Sequence, residues 1–340
     1  MSATIYDIAK EAGVSIATVS RVFNKSEAVS KQTRNKVLKI AENKGYHPKA
    51  FAQGLARKNS KLIMAIVPII SNYFFMEVLA GIQDKLAEFD YDLNIYNIKS
   101  NINLERQIEH LIRKGMGDGY LLISLHQTET FWHSLKRYDV PITLMDEYYK
   151  DFDSVSVDSV GGAYKATQHF IDSGFKNIAM ISAHPDAKPS KDRVLGFKNA
   201  HKDAGLDSND ELIVTGIDME RDGFTVRAGY EAMIKLINSS QKPDACFCIS
   251  DIQALGALKA MKDSQFEIPI IGFDDLQFSE YLGLSTMHQP MYEMGVIAIE
   301  KLMKRIKNKK SSVSHTMFSP DLIKRESLTP GISVHSNTVE

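Results

Sequence analysis

Two groups of side chains in this 340-residue chain have the types and spacing to do chemistry. The first lies in TIYDIAKEAGVSIATVSRVFN, residues 4–24. With the stretch from Ile16 helical, Val19 and Val22 turn inward, and Ile16, Ala17, Ser20 and Arg21 face outward. That row ends in a hydroxyl and a guanidinium and is suited to touching a partner. The second group stands at the carboxyl ends of apolar, strand-like segments: Ser71-Asn72-Tyr73-Phe74, Ser124, Asp146, Ser250-Asp251, Asp274 and Gln289. Arg193 joins them after the loop SAHPDAKPSKD. Asp146 and Asp274 can serve as the acid and base of an enzyme or accept hydrogen bonds from a bound ligand. No phosphate-cradling glycine loop, nucleophile elbow or metal-ligand spacing accompanies them, which favours binding over catalysis. Asp251 is expected to cap the helix it begins. Cys246 and Cys248, two apart on one strand face, read as buried reduced thiols and not as a disulfide.

Three helices must position the first group. Thr4 caps a helix to about Ala12, answered by Asp7, with Ile5, Ile8 and Ala9 on its apolar stripe. Gly13 supplies a turn, and Ser15 caps a second helix to about Phe23. Ser30 caps a third, Lys31 to Lys44, with Val37, Leu38 and Ala41 expected inward and Gly45 ending it. Helix, glycine turn and helix with a third in support is the helix-turn-helix arrangement, whose second helix lies in a DNA major groove. Residues 48–57, PKAFAQGLAR, read as a short helix opened by Pro48 and marginal on its own.

Strands and helices in alternation must position the second group. KLIMAIV, YDLNIYNI, GYLLIS, PITLMD and SVSVDS form one series; NIAMIS, ELIVTG, ACFCIS, IPIIGFD and LSTMHQ form another. Amphipathic segments near 74–89, 103–114, 128–137, 160–174, 191–205, 222–239, 251–263 and 291–309 separate them. The fold class is therefore α/β: a small all-α head and two doubly wound parallel-sheet subdomains. Ligands of such sheets sit at the carboxyl ends of the strands.

The formal net charge of −1 hides an asymmetry. Residues 1–61 carry twelve Lys/Arg against four Asp/Glu, or +8, and the remainder carries 29 against 38, or −9. A basic head on an acidic body points to a polyanion partner for the head. No run of about 18 apolar residues marks a membrane span, and no leader peptide is evident, so a cytoplasmic location is expected.

With TIYDIAKEAGVSIATVSRVFN, then VS and TR within 29–34, then GYHPKAFAQGLA at 45–56, the chain resembles the lac/gal (LacI/GalR) repressor family of bacterial transcription regulators. The resemblance runs from residue 4 to about 330. It implies that Ile16, Ala17, Ser20 and Arg21 read base edges, with Arg21 forked onto a guanine; the apolar Ile16-Ala17 pair is similar to that of catabolite-control-type members. It implies phosphate contacts for Tyr6, Thr18, Asn24, Ser30, Thr33 and Tyr46. It makes 48–60 a hinge, with Leu55 a wedge at a central CG step of a pseudo-palindromic operator of about 14–20 base pairs.

For the body the resemblance implies the periplasmic-binding-protein fold, with crossovers near 159, 289 and 320. The expected units are a head at 1–47, one subdomain at 61–158 and 290–319, a second at 159–289 and 320–331, and a tail at 332–340. Asp146, Arg193, Asp274 and Gln289 match polar effector positions, with Phe224 an aromatic wall and Ile70, Tyr73, Phe74, Ser124, Ser250 and Met291 around them. Acidic groups, a guanidinium and an aromatic face suit a sugar. Lys188 and Lys191 nearby leave a sugar phosphate open. A homodimer is expected, since a two-fold operator needs a two-fold protein, and the end KRESLTPGISVHSNTVE has no tetramerising heptad. Neither a cofactor nor a metal is expected. Induction, corepression or a phosphoprotein corepressor all remain compatible with the resemblance. The rival readings are a sugar-processing enzyme and a transport-type solute-binding protein using the same cleft.

Overall fold

The structure, a computed structural model, describes residues 3–23, 28–46, 60–68, 73–98, 104–218 and 220–329. The head comprises α1 (Ile5–Ala12), α2 (Ile16–Phe23) and α3 (Lys31–Asn43). The Thr4 side chain accepts from the Asp7 N–H while the Asp7 carboxylate accepts from the Thr4 N–H at 2.8 Å, a reciprocal cap. Gly13 follows at φ +66°, a left-handed turn that a Cβ would strain. Ser15 and Ser30 accept from the N–H groups of Thr18 (3.1 Å) and Thr33 (3.2 Å), opening α2 and α3. Ile8, Val19, Val22, Val37 and Ala41 close a small core. Leu38 does not join it and is 43% exposed. One residue past Val37, it is rotated about 100° around the helix and leaves the inward face.

The body begins with β1 (Leu62–Val67), α4 (Tyr73–Leu86), β2 (Asp92–Asn97), α5 (Leu104–Arg113), β3 (Gly119–Ile123), α6 (Glu129–Leu135), β4 (Ile142–Met145) and β5 (Asp153–Val157). It continues with α7 (Ser159–Asp172), β6 (Ile178–Ser182), α8 (Lys188–Asp203), β7 (Ile213–Thr215), α9 (Val226–Ile237), β8 (Ala245–Cys248), α10 (Asp251–Asp263), β9 (Ile270–Asp274), α11 (Gln277–Tyr281) and β10 (Ser285–His288). It then returns through α12 (Met291–Lys307), β11 (His315–Phe318) and β12 (Asp321–Ile323). The two sheets run β11-β5-β4-β3-β1-β2 and β12-β10-β9-β8-β6-β7. Every strand pair is parallel except β10–β12. The chain thus passes between lobes after β5, after β10 and again between β11 and β12.

Central strands buried on both faces explain the unbroken apolar runs LIMAIV and IAMIS. In the first lobe, α4 and α12 cover one face with Val78, Ile82, Ile299 and Leu302, and Ile108, Trp132 and Tyr120 fill the other. In the second, Met233 and Leu236 lie on one side and Phe170, Phe197 and Phe247 on the other. The α4–α12 crossing depends on two glycines. A Cβ on Gly81 would sit 2.0 Å from the Tyr292 carbonyl oxygen, and one on Gly295 would sit 2.2 Å from that of Val78. Cys246 and Cys248 are buried free thiols on β8. Among the described residues no helix is long and apolar enough to cross a membrane, and no three His, Cys, Asp or Glu are grouped to hold a metal.

Candidate DNA-reading face and ligand cleft

On the head, α2 turns Ile16 (41% exposed), Ala17 and Arg21 outward, with Ser20 half-buried beside them. The face exists because Val19 and Val22 are spent on the core. Tyr6 stands out at 68% exposure. Thr18 and Thr33 are each held at a helix start, with Ser15 and Thr18 hydroxyls 2.9 Å apart and the Ser30 hydroxyl donating to Thr33 at 3.0 Å. Helix N-termini that present hydroxyls and N–H groups suit phosphate oxygens. Tyr46 packs edge-on against Phe23 at 5.6 Å, and burial pushes its phenol up. Asn24, Leu55 and the 48–57 segment lie outside the described residues.

In the body, strand ends from both sheets converge on a cavity of about 130 Å³. Ser124 ends β3, Asp146 ends β4, Asp274 ends β9, Gln289 follows β10, and Ser250 caps α10. Arg193 reaches in from the second turn of α8, and Phe74 and Phe224 supply aromatic surface. Parallel strands that all end on one side leave this crevice open. Tyr73 and Met291 do not line it. Tyr73 is 47% exposed and edge-on to Phe278 at 6.0 Å, and Met291 is buried in the first-lobe core because α12 packs so closely on α4. Ile70 lies outside the described residues.

Asp251 also departs from expectation. Ser250, not Asp251, is the cap of α10, its Oγ accepting from the Gln253 N–H at 3.3 Å. Asp251 is fully buried and accepts from the Leu276 N–H (2.9 Å), Ser279 Oγ (2.6 Å) and Thr286 Oγ1 (2.6 Å). It ties the start of α10 to α11 and β10.

The cavity adds residues that sequence reasoning passed over: His126, Asp222, Ile252 and Pro189. One local signal accompanies two of them. Ser124, His126, Asp146, Asp222 and Asp274 all adopt positive φ, between +47° and +125°, so half of the ten described non-glycine residues with that geometry line this one cavity. Such conformations cost about 1–3 kcal/mol each and collect where a site must hold its side chains.

Hydrogen bonding fixes the polar groups. Ser124 Oγ donates to Asp146 Oδ2 at 2.7 Å. His126 sits between two carboxylates, with Nε2 3.5 Å from Asp146 and Nδ1 3.4 Å from Glu147. Burial opposes its charge, but the two carboxylates outweigh it and push its pKa up to about 9. His126 and Arg193 then hold Asp146 below the usual carboxylate range despite its burial. Burial pushes Asp274 up to about 8, since Arg193, 3.9 Å away, offsets only part of the desolvation. Arg193 itself donates to the Ile249 carbonyl and stacks 3.6 Å over the Phe273 ring. Arg193 Nε and Gln289 Oε1 are buried without a hydrogen-bond partner. The site thus offers a carboxylate held below its usual range, a second carboxyl pushed up to about 8, a guanidinium and an amide beside Phe74, Phe75 and Phe224. It has the means to orient a polar ligand.

The family model described as bacterial regulatory proteins, lacI family, matches residues 4–49, and that of a periplasmic binding protein-like domain matches residues 167–328. Catabolite control protein A of Priestia megaterium is 36% identical over 335 residues, covering 95% of this chain and 98% of its own. The HTH-type transcriptional repressor PurR of Histophilus somni is 32% identical over 335 residues, covering 96% and 99%. The solved complex of the transcriptional regulator CelR with cellobiose superimposes with a TM-score of 0.69 at 26% identity, covering 96% of this chain and 99% of that one. The chain belongs to the lacI family of bacterial regulatory proteins, and is a DNA-binding transcriptional repressor and not an enzyme.

Proposed function

We propose that this repressor acts as a homodimer whose grip on a two-fold operator is set by a sugar held between its lobes. The observation that carries the reading is the convergence of Asp146, Arg193, Asp274 and Gln289 on one cavity with Phe74 and Phe224. Carboxylates accept from sugar hydroxyls, the guanidinium donates, and aromatic rings cover the C–H side. CelR, at 26% identity, is solved with cellobiose, which supports a carbohydrate here.

Control follows from linkage. The cavity is walled by both lobes, so a ligand favours one relative placement of them, and the operator favours one through the head and the 48–60 segment. The coupling can be no larger than the difference in ligand affinity between the two states, typically about 1–3 kcal/mol. On the operator, Arg21 reads a guanine, Ile16, Ala17 and Ser20 shape the adjoining contact, and Leu55 opens the central step. Thr18, Ser30, Thr33, Tyr6, Asn24 and Tyr46 set register on phosphates.

The test is operator binding by the full-length chain, with the sequence selected from random DNA, across a panel of sugars, sugar phosphates and nucleobases. A carbohydrate that shifts operator affinity about 5- to 150-fold fits the coupling. A flat heterocycle that does so while every carbohydrate is inert refutes the sugar assignment.

A further inference from the structure

The inner cavity does not end at Asp146. A second hollow of about 250 Å³ shares His126, Asp146 and Pro189 with it, and a third of about 610 Å³ shares His126, Glu147, Tyr148 and Lys188 with the second. The three adjoin one another, with His126 common to all. Resting on the reading that the inner cavity holds a sugar ring, we infer that the outer chamber is a second sugar subsite, and that the effector is a neutral disaccharide or longer oligosaccharide.

Three observations carry this. First, unpartnered polar atoms continue outward. Arg193 Nε and Gln289 Oε1 lack hydrogen-bond partners in the inner cavity, and Glu147 Oε2, on a residue only 7% exposed, meets only His126 Nδ1, at 3.4 Å, in the outer chamber. A buried donor or acceptor without a close partner is costly, so a ligand hydroxyl belongs beside these atoms. Second, Tyr148 lines both outer hollows with a ring 57% exposed, backed by His315 at 4.7 Å. An exposed aromatic ring is a platform for the C–H face of a pyranose. Third, no net positive charge draws a phosphate there. Lys188 is paired with Asp192 at 2.6 Å and Lys191 with Asp186 at 3.4 Å, and Glu129 and Glu147 offset Lys150 and His126. The lysines near Arg193 are neutralised locally and do not form an anion site.

The experiment is calorimetric titration of the full-length protein with a set of glucose- and galactose-containing disaccharides, their component monosaccharides and the corresponding 6-phosphates. One disaccharide should bind about tenfold or more tighter than either component, and Tyr148→Ala should bring that ratio close to one. Glu147→Gln, isosteric and still able to accept from the Tyr148 N–H at 3.0 Å, should narrow the ratio without unfolding the loop. A monosaccharide that binds as tightly as every disaccharide, with Tyr148→Ala indifferent, overturns the outer subsite but leaves the inner one standing. A 6-phosphate that binds tightest overturns the neutral assignment. Failure of every carbohydrate removes the sugar reading itself, and the outer subsite with it.

Discussion

Gln289 donates from Nε2 to Asp274 Oδ1 at 2.5 Å, tying the ends of two neighbouring strands into one polar wall. Its own Oε1 is left buried and unpartnered, aimed at whatever fills the cavity. Asp274 therefore both orients Gln289 and faces the ligand. Asp274→Ala should weaken effector binding by about 10- to 150-fold, the cost of losing a hydrogen bond to a charged or strongly polar group. Operator affinity without effector should stay within about twofold, because no described contact joins Asp274 to the head. Parallel loss of both, measured by titration and by operator gel shift, would mark the pair as structural.

Stability should fall as pH rises from 6 to 9. Asp274 is pushed up to about 8 from an ordinary value of 3.8, and His126 to about 9 from 6.5. Both protons are held more tightly by the folded chain than by the unfolded one. The stabilisation from Asp274 is thus lost progressively between about pH 4 and 8, and that from His126 between about 6.5 and 9. The combined loss across pH 6–9 should be on the order of 1 kcal/mol or more, visible as a falling Tm. Asp274→Asn, which cannot ionise, should flatten the profile below pH 8. A Tm that stays level or climbs over this range in the parent protein is incompatible with these two environments.

Arg21 on the exposed face of α2 should decide one base. Arg21→Ala should relax the preference for a guanine in each half-site, at about 1–3 kcal/mol of discrimination. Thr18→Ala or Ser30→Ala should instead weaken all sequences alike, since phosphate contacts carry no base information. Selection from random DNA separates the cases, and an unaltered motif from the Arg21 variant would place the guanine contact elsewhere.

Asp251 should be structural. Its three hydrogen bonds hold α10 to α11 and β10, and its burial raises its pKa even so. Asp251→Ala strands the Leu276 N–H and two hydroxyls and should cost about 3 kcal/mol of stability. Denaturant unfolding would show the loss. Effector affinity in the surviving folded protein should change far less than in Asp274→Ala.

The head was largely legible because its signals are local. Thr4 with Asp7, Gly13, Ser15 and Ser30 act on residues three or four positions away, and all behave as their spacing implies. The alternation of apolar strands and amphipathic helices likewise exposed two parallel sheets, and strand ends pointed to most of the cavity. Short elements escaped. β11, β12 and α11 span four, three and five residues, too few for a periodicity to show.

His126 escaped for a different reason. A histidine in a loop after a strand is ordinary until Asp146 and Glu147, twenty or so positions later, are folded against it. Met291 erred the other way: it follows a strand end as a ligand residue should, yet two glycines 214 positions apart let α12 press onto α4 and bury it. Caps, turns and the burial rhythm of single elements depend on neighbours along the chain, so the order of residues was enough to settle the kind of fold and the family. Which carboxylate is protonated, which aromatic faces the cleft and how far that cleft extends depend on groups brought together from distant segments, where desolvation and pairing are properties of the assembled interior alone.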